Sequence, residues 1–137
     1  ILYLDTSSLI KLYVEEDHSE IVRDVTHNAT GLFTCRITYP EARSALARRH
    51  REGALTETAY RRIITQLDED WEALFIIDFD EHLAGELTER HAMRGFDAVH
   101  LAAALSLVSD SPDIDVRFST FDARLQIAAT AESLGPP

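Results

Sequence analysis

Ile1-Leu2-Tyr3-Leu4-Asp5-Thr6-Ser7-Ser8-Leu9-Ile10-Lys11-Leu12-Tyr13 opens the chain, and its reading decides the fold. Four apolar residues in succession, cut off by an acid, describe a strand buried on both faces. Thr6-Ser7-Ser8 offers capping hydroxyls ahead of Leu9 to Tyr13, which reads as a short helix. A buried strand that runs straight into a helix is the first half of a βαβ unit, so the expected sheet is parallel.

Farther along, the same alternation repeats. Ser19 to Thr26 reads as a helix with Ile21, Val22 and Val25 inward, and Gly31 breaks it before a second strand, Leu32 to Cys35. Thr38 opens a long helix to about Arg51, ended by Gly53. Thr56 caps another that reaches about Glu72, so the two form a helical hairpin. Leu74 to Ile77 is the third strand, and Asp80 caps a helix to about His91. Gly95 interrupts, and Asp97 begins a helix rich in alanine and leucine, Ala98 to Val108. Val116 to Ser119 is the fourth strand, and Asp122 caps a last helix, Ala123 to Ser133. The expected fold is a single α/β domain over residues 1–137. Its three α/β/α layers enclose a mostly parallel sheet of four or five strands.

A length of 137 residues supports one core without disulfide staples. Cys35 is the lone cysteine and sits in an apolar setting, which predicts a buried thiol in a reducing compartment. With no signal-peptide pattern and no apolar run of membrane-spanning length, the expected location is the cytoplasm. The 24 acidic and 13 basic residues give a formal charge of −11. Such a charge opposes non-specific binding of nucleic acid and suits a basic protein partner.

In an open parallel sheet, ligands bind beyond the carboxyl ends of the strands. Asp5 follows the first strand, Glu41 lies in the first helical turn soon after the second, and Asp122 follows the fourth. Asp97 follows no strand directly. Carboxylates packed together raise one another's pKa, and a divalent cation removes that cost. An oxygen-only donor set favours Mg²⁺ or Mn²⁺ over zinc. Such an ion activates water toward a phosphodiester. Each acid also has a structural explanation: Glu41 through a Thr38-x-x-Glu41 capping box, Asp97 through the helix dipole, and Asp122 as a plain N-cap. Asp5, at the end of a buried strand, has the weakest one.

Around these, His100 falls one helical turn after Asp97, in a position to orient it. Arg48-Arg49-His50-Arg51 offers phosphate contacts or a solvated face, and Glu15-Glu16-Asp17 reads as a solvated acidic end. Ser7, Ser8 and Thr120 are capping groups or ligand supports.

Four segments, in order, resemble the PIN-domain family, especially its VapC-type toxins. These are Tyr3-Leu4-Asp5-Thr6-Ser7-Ser8, Thr38-Tyr39-Pro40-Glu41-Ala42-Arg43, Gly95-Phe96-Asp97-Ala98-Val99-His100 and Phe118-Ser119-Thr120-Phe121-Asp122. The resemblance implies a Mg²⁺- or Mn²⁺-dependent endoribonuclease with Asp5, Glu41 and Asp97 as the main metal-site and catalytic acids. Asp122 would be the fourth, with Asp115 as its competitor, and Ser7 or Thr6 would support the Asp5 loop. It further implies an RNA substrate, a cognate antitoxin and a homodimer. Gly135-Pro136-Pro137 stands where members of that family often continue into a further short strand. The rival expectations are a housekeeping RNA-processing nuclease, a non-catalytic PIN-like scaffold, and a phosphoryl-transfer domain with Asp5 as nucleophile. The last is disfavoured by Ser7, which stands where such enzymes place a second aspartate.

Overall fold

β1 (Leu2–Leu4), β2 (Leu32–Cys35), β3 (Phe75–Ile77) and β4 (Arg117–Ser119) form one sheet in the order β3-β2-β1-β4, every pairing parallel, in a computed structural model that describes residues 1–137. β1 is therefore central, with Tyr3 in register between Phe33 and Phe118. Its side chains alternate between two cores, as a strand buried on both sides must. Leu2 and Leu4 join one cluster, and Tyr3 joins the other.

The first cluster packs α1 (Thr6–Ile10), α2 (Ser19–Asn28), α3 (Thr38–Arg51) and α4 (Glu57–Trp71) onto one face. The second packs α5 (Glu81–His91), α6 (Gly95–Asp110) and α7 (Ala123–Ala131) onto the other. The chain builds β1, β2 and β3 outward in one direction, then returns to place β4 on the far side of β1. The gap beyond the carboxyl ends of β1 and β4 is thus a topological switch point, where open α/β sheets hold ligands.

Most caps follow the sequence. Thr56, Asp80 and Asp122 accept from first-turn N–H groups of α4, α5 and α7. Gly53, at φ 79°, takes the left-handed conformation that closes α3.

Several expectations change. The cap of α1 is Asp5 itself, whose carboxylate accepts from the Ser8 N–H, so the helix starts at Thr6 and ends by Ile10. Glu41 closes no capping box: Ile37 is the N-cap of α3, and the Thr38 hydroxyl instead accepts from Thr34. α6 starts at Gly95, so Asp97 sits inside the first turn rather than at its threshold. Ile21 faces solvent. The tail runs along the outer side of β4, where the Gly135 carbonyl accepts from the Phe118 N–H at 2.9 Å. That is a single backbone pairing, and the sheet has four strands.

Candidate active site

The site is built around three polar centres at the carboxyl edge of the sheet. The first is Asp5, only 4% exposed. Its Oδ1 accepts from the Ser8 N–H at 2.8 Å and the Ser7 hydroxyl at 2.7 Å. Its Oδ2 accepts from the Thr120 hydroxyl at 2.6 Å. Ser7 also receives the Phe121 N–H at 2.8 Å, which fastens the β1 and β4 loops to each other. Burial raises the Asp5 pKa above its ordinary value, against the pull of the His100 charge and the hydrogen bonds from Thr120, Ser7 and Ser8.

The second centre is Glu41, which α3 projects toward α6. Its Oε2 accepts from the Thr6 hydroxyl and lies 2.8 Å from His100 Nε2. His100 is buried, and its other nitrogen, Nδ1, lies 2.9 Å from the hydroxyl of the fully buried Tyr3. A carboxylate only accepts, so the Nε2 proton faces Glu41. Burial raises the pKa of Glu41, but the His100 and Thr6 hydrogen bonds with the His100 and Arg94 charges outweigh it and leave the group below its ordinary value. Burial also pushes the Tyr3 phenol well up, so it stays protonated.

The third centre pairs Asp97 with Asp122 through one cation. Arg94 Nε donates to Asp97 Oδ2 at 2.9 Å, and its Nη2 lies 3.3 Å from Asp122 Oδ2. Asp122 Oδ1 is engaged in capping α7. The Arg94 side chain is 79% exposed, so it is a solvent-screened counter-charge rather than a fixed one. A hollow of about 370 Å³ lined by Glu41, Arg94, Phe96 and Asp97 joins the second and third centres.

Of the expected residues, Glu41 and Asp97 therefore share a hollow, Asp97 and Asp122 share an arginine, and Asp5 lies buried at the edge with Thr120. Asp115 lies elsewhere. It precedes β4, its backbone carbonyl accepts from the Ile1 nitrogen, and its carboxylate pairs with Arg117. That is the opposite edge of the sheet.

His100 serves Glu41 rather than Asp97. Glu16 is not merely solvated: it bridges the buried Lys11 at 2.8 Å and Arg49 at 2.6 Å. The roles of Arg94 and of the Tyr3–His100 pair escaped the sequence reading. Only the Arg94–Asp97 spacing of three, favourable on a helix, signalled the first.

The donors fit a hard divalent cation. Every protein hydrogen bond to Glu41 falls on Oε2 and every one to Asp97 on Oδ2, which leaves Oε1 and Oδ1 with free lone pairs. No three His, Cys, Asp or Glu side chains stand close enough to close around an ion. Like-charged carboxylates without a cation between them hold apart, and Arg94 answers two of them here. An open arrangement suits Mg²⁺, which keeps several waters and needs one or two carboxylates.

Residues 2–133 match the PIN domain family. Two curated relatives, Ribonuclease VapC45 and Ribonuclease VapC49 of Mycobacterium tuberculosis, are each 33% identical over 134 residues, 96% of this chain and 90% of the relative. Among solved structures, FitAcB from Neisseria gonorrhoeae aligns with a TM-score of 0.67 at 14% identity, covering 99% of this chain and 96% of that one. Mycobacterium tuberculosis VapC20, a sarcin-ricin loop cleaving toxin, aligns at 0.64 and 15% identity, covering 93% of this chain and 95% of that one. These two likenesses, at low identity, speak for the fold.

Proposed function

This chain belongs to the PIN domain family, in its VapC-type branch, and on that premise we propose that it is a divalent-metal-dependent endoribonuclease, the toxin of a toxin–antitoxin pair. The observation that carries the reading is the hollow at the carboxyl edge of the sheet, where Glu41 and Asp97 present free carboxylate oxygens.

Glu41, Asp97 and Asp5 would hold Mg²⁺ or Mn²⁺, with Asp122 as the fourth acid. The bound ion supplies Lewis-acid activation of water and neutralises charge on the phosphodiester. The chain's own part is positional. His100 and Thr6 fix the carboxylate plane of Glu41 and keep it ionised. Thr120, Ser7 and the Ser8 N–H hold Asp5 in one rotamer. Arg94 supplies the counter-charge that lets Asp97 and Asp122 coexist, and its exposed guanidinium swings toward a phosphate oxygen when RNA enters. In the reaction, a water oxygen gives up a proton as it forms a bond to phosphorus, the bond from phosphorus to one ribose oxygen breaks, and that oxygen takes up a proton.

The same reading includes a cognate antitoxin, which covers the acids with a basic segment, and a homodimeric assembly in the cytoplasm. No helix is long and apolar enough to cross a membrane. The test is incubation of the purified chain with total RNA and Mn²⁺, followed by sequencing of the new ends. Discrete cut ends are expected from wild type, and none from Asp97→Asn or in the presence of EDTA. Identical ends from Asp97→Asn would overturn the assignment.

A further inference from the structure

One face of α3 leads away from the acids. Glu41, Ser44, Arg48 and Arg51 recur at spacings of three and four, so they align along the helix. They line a groove of about 520 Å³ together with Thr6 and Phe96. The basic residues of this helix divide into two kinds. Arg43 lies 3.7 Å from Asp68, Arg49 is bound to Glu16 at 2.6 Å, and His50 lies 2.9 Å from Glu57. Arg48 and Arg51 are exposed and make no ion pair with any of the 24 acids of this chain. The helix dipole accounts for cations in a last turn. It does not account for two of them sharing the face of Glu41 while their neighbours are neutralised.

Phe96 stands across the groove, 63% exposed, immediately before Asp97. Single exposed aromatics are ordinary. This one lines both the groove and the hollow that holds Glu41 and Asp97. Exposed rings beside cationic side chains are how proteins hold single strands: bases stack and phosphates pair.

We propose that this face of α3, with Phe96, is a track for single-stranded RNA leading away from the scissile phosphate. Phe96 stacks a base near the cut, and Arg48 and Arg51 hold phosphates beyond it. At 1.5 Å of rise per residue, they lie about 10 and 15 Å from Glu41 along the axis, or about three and four stacked nucleotides. The inference rests on the nuclease reading above and deepens it. It also explains how a chain of charge −11 engages a polyanion: the attraction is confined to one strip.

The experiment is fluorescence anisotropy with a labelled single-stranded RNA of about a dozen nucleotides, in EDTA so that no cleavage occurs, over a series of salt concentrations. Each phosphate contact on a single strand contributes about 0.7 to the slope of log affinity against log salt. The Arg48→Gln/Arg51→Gln double variant is therefore expected to lose about 1.4 of that slope. Phe96→Ala is expected to bind about five- to a hundredfold more weakly with the slope unchanged, and Phe96→Tyr to restore binding. All altered side chains are exposed, and thermal melts verify that each variant folds.

No detectable RNA binding by wild type, or an unchanged slope in the double variant, overturns the track. So does RNA binding that is untouched while affinity for a protein partner collapses, which would make the strip a protein interface. Cleavage in Mn²⁺ separates the two readings. Wild type that binds with the expected slope but never cuts defeats the nuclease reading and keeps the track. Cutting by the double variant at the wild-type rate under subsaturating RNA defeats the track and keeps the nuclease.

Discussion

His100 Nε2 lies 2.8 Å from Glu41 Oε2, and the ring's other nitrogen is held by the buried Tyr3 hydroxyl at 2.9 Å. The imidazole therefore joins the centre of the sheet to the acid on α3, and it fixes which Glu41 oxygen remains free. His100→Phe keeps a planar ring, somewhat larger, and removes both contacts. Cleavage is expected to fall about 10- to 100-fold, as for other residues that orient ligands. The loss should appear in kcat rather than KM, read by single-turnover cleavage. Tyr3→Phe leaves Nδ1 without its partner and should cost about 1 kcal/mol of stability with a smaller loss of rate. Equal rates for wild type and His100→Phe would remove the histidine from the site.

Asp5→Asn separates stability from activity. Burial raises the Asp5 pKa, so its ionised form is penalised in the folded chain. The penalty is absent below the unfolded pKa, grows as pH rises through the folded pKa, and is constant above it. At neutral pH and without metal, the asparagine variant should melt at a higher temperature than wild type and cleave more than about a hundredfold more slowly. Scanning calorimetry from pH 3 to pH 8 tests the sign, because the two melting curves should converge toward acid.

Glu41 has the opposite sign. Its lowered pKa means that its ionised form stabilises the fold above its unfolded pKa, and this contribution disappears as pH falls through the folded value. Glu41→Gln should therefore be less stable than wild type at pH 7 and equal to it in strong acid. An unchanged difference across that range would show that the hydrogen bonds from His100 and Thr6 do not distinguish carboxylate from amide.

Arg94→Ala frees Asp97 and Asp122 from their shared cation. The Arg94 side chain is exposed, so fold stability should change by less than about 1 kcal/mol. Mn²⁺ should bind several-fold more tightly, because the ion no longer displaces a guanidinium, and the melting temperature should rise more steeply with added Mn²⁺. Isothermal titration decides it, and weaker binding by the variant would mean that Arg94 supports the acids instead of competing for them.

The sheet and the edge that carries the acids were legible in the sequence because their signals are local. Ile1 to Leu4 and Leu32 to Cys35 are short apolar runs, each followed by helix-starting residues, and the acids that follow a strand necessarily fall at its carboxyl end. Helix starts with a side-chain cap were equally plain at Thr56, Asp80 and Asp122. The start of α6 was misplaced by three residues because its N-cap is Arg94, which makes no capping bond, and its first residue is Gly95, a poor helix former. The Thr38-x-x-Glu41 pattern suggested a cap, but the side chain instead found a histidine 59 positions away. No local pattern encodes that meeting, nor the division of the basic cluster on α3, which depends on where Glu16 and Glu57 lie in space.

One of the two hydroxyls that hold Asp5 belongs to Thr120, 115 positions later, and β1 has β4 as one of its two neighbours. β1 therefore cannot be flanked on both sides until β4 has been made. A growing chain holds the acid of residue 5 on its local Ser7 and Ser8 bonds alone until residue 120 follows, so the order of synthesis delays the finished site.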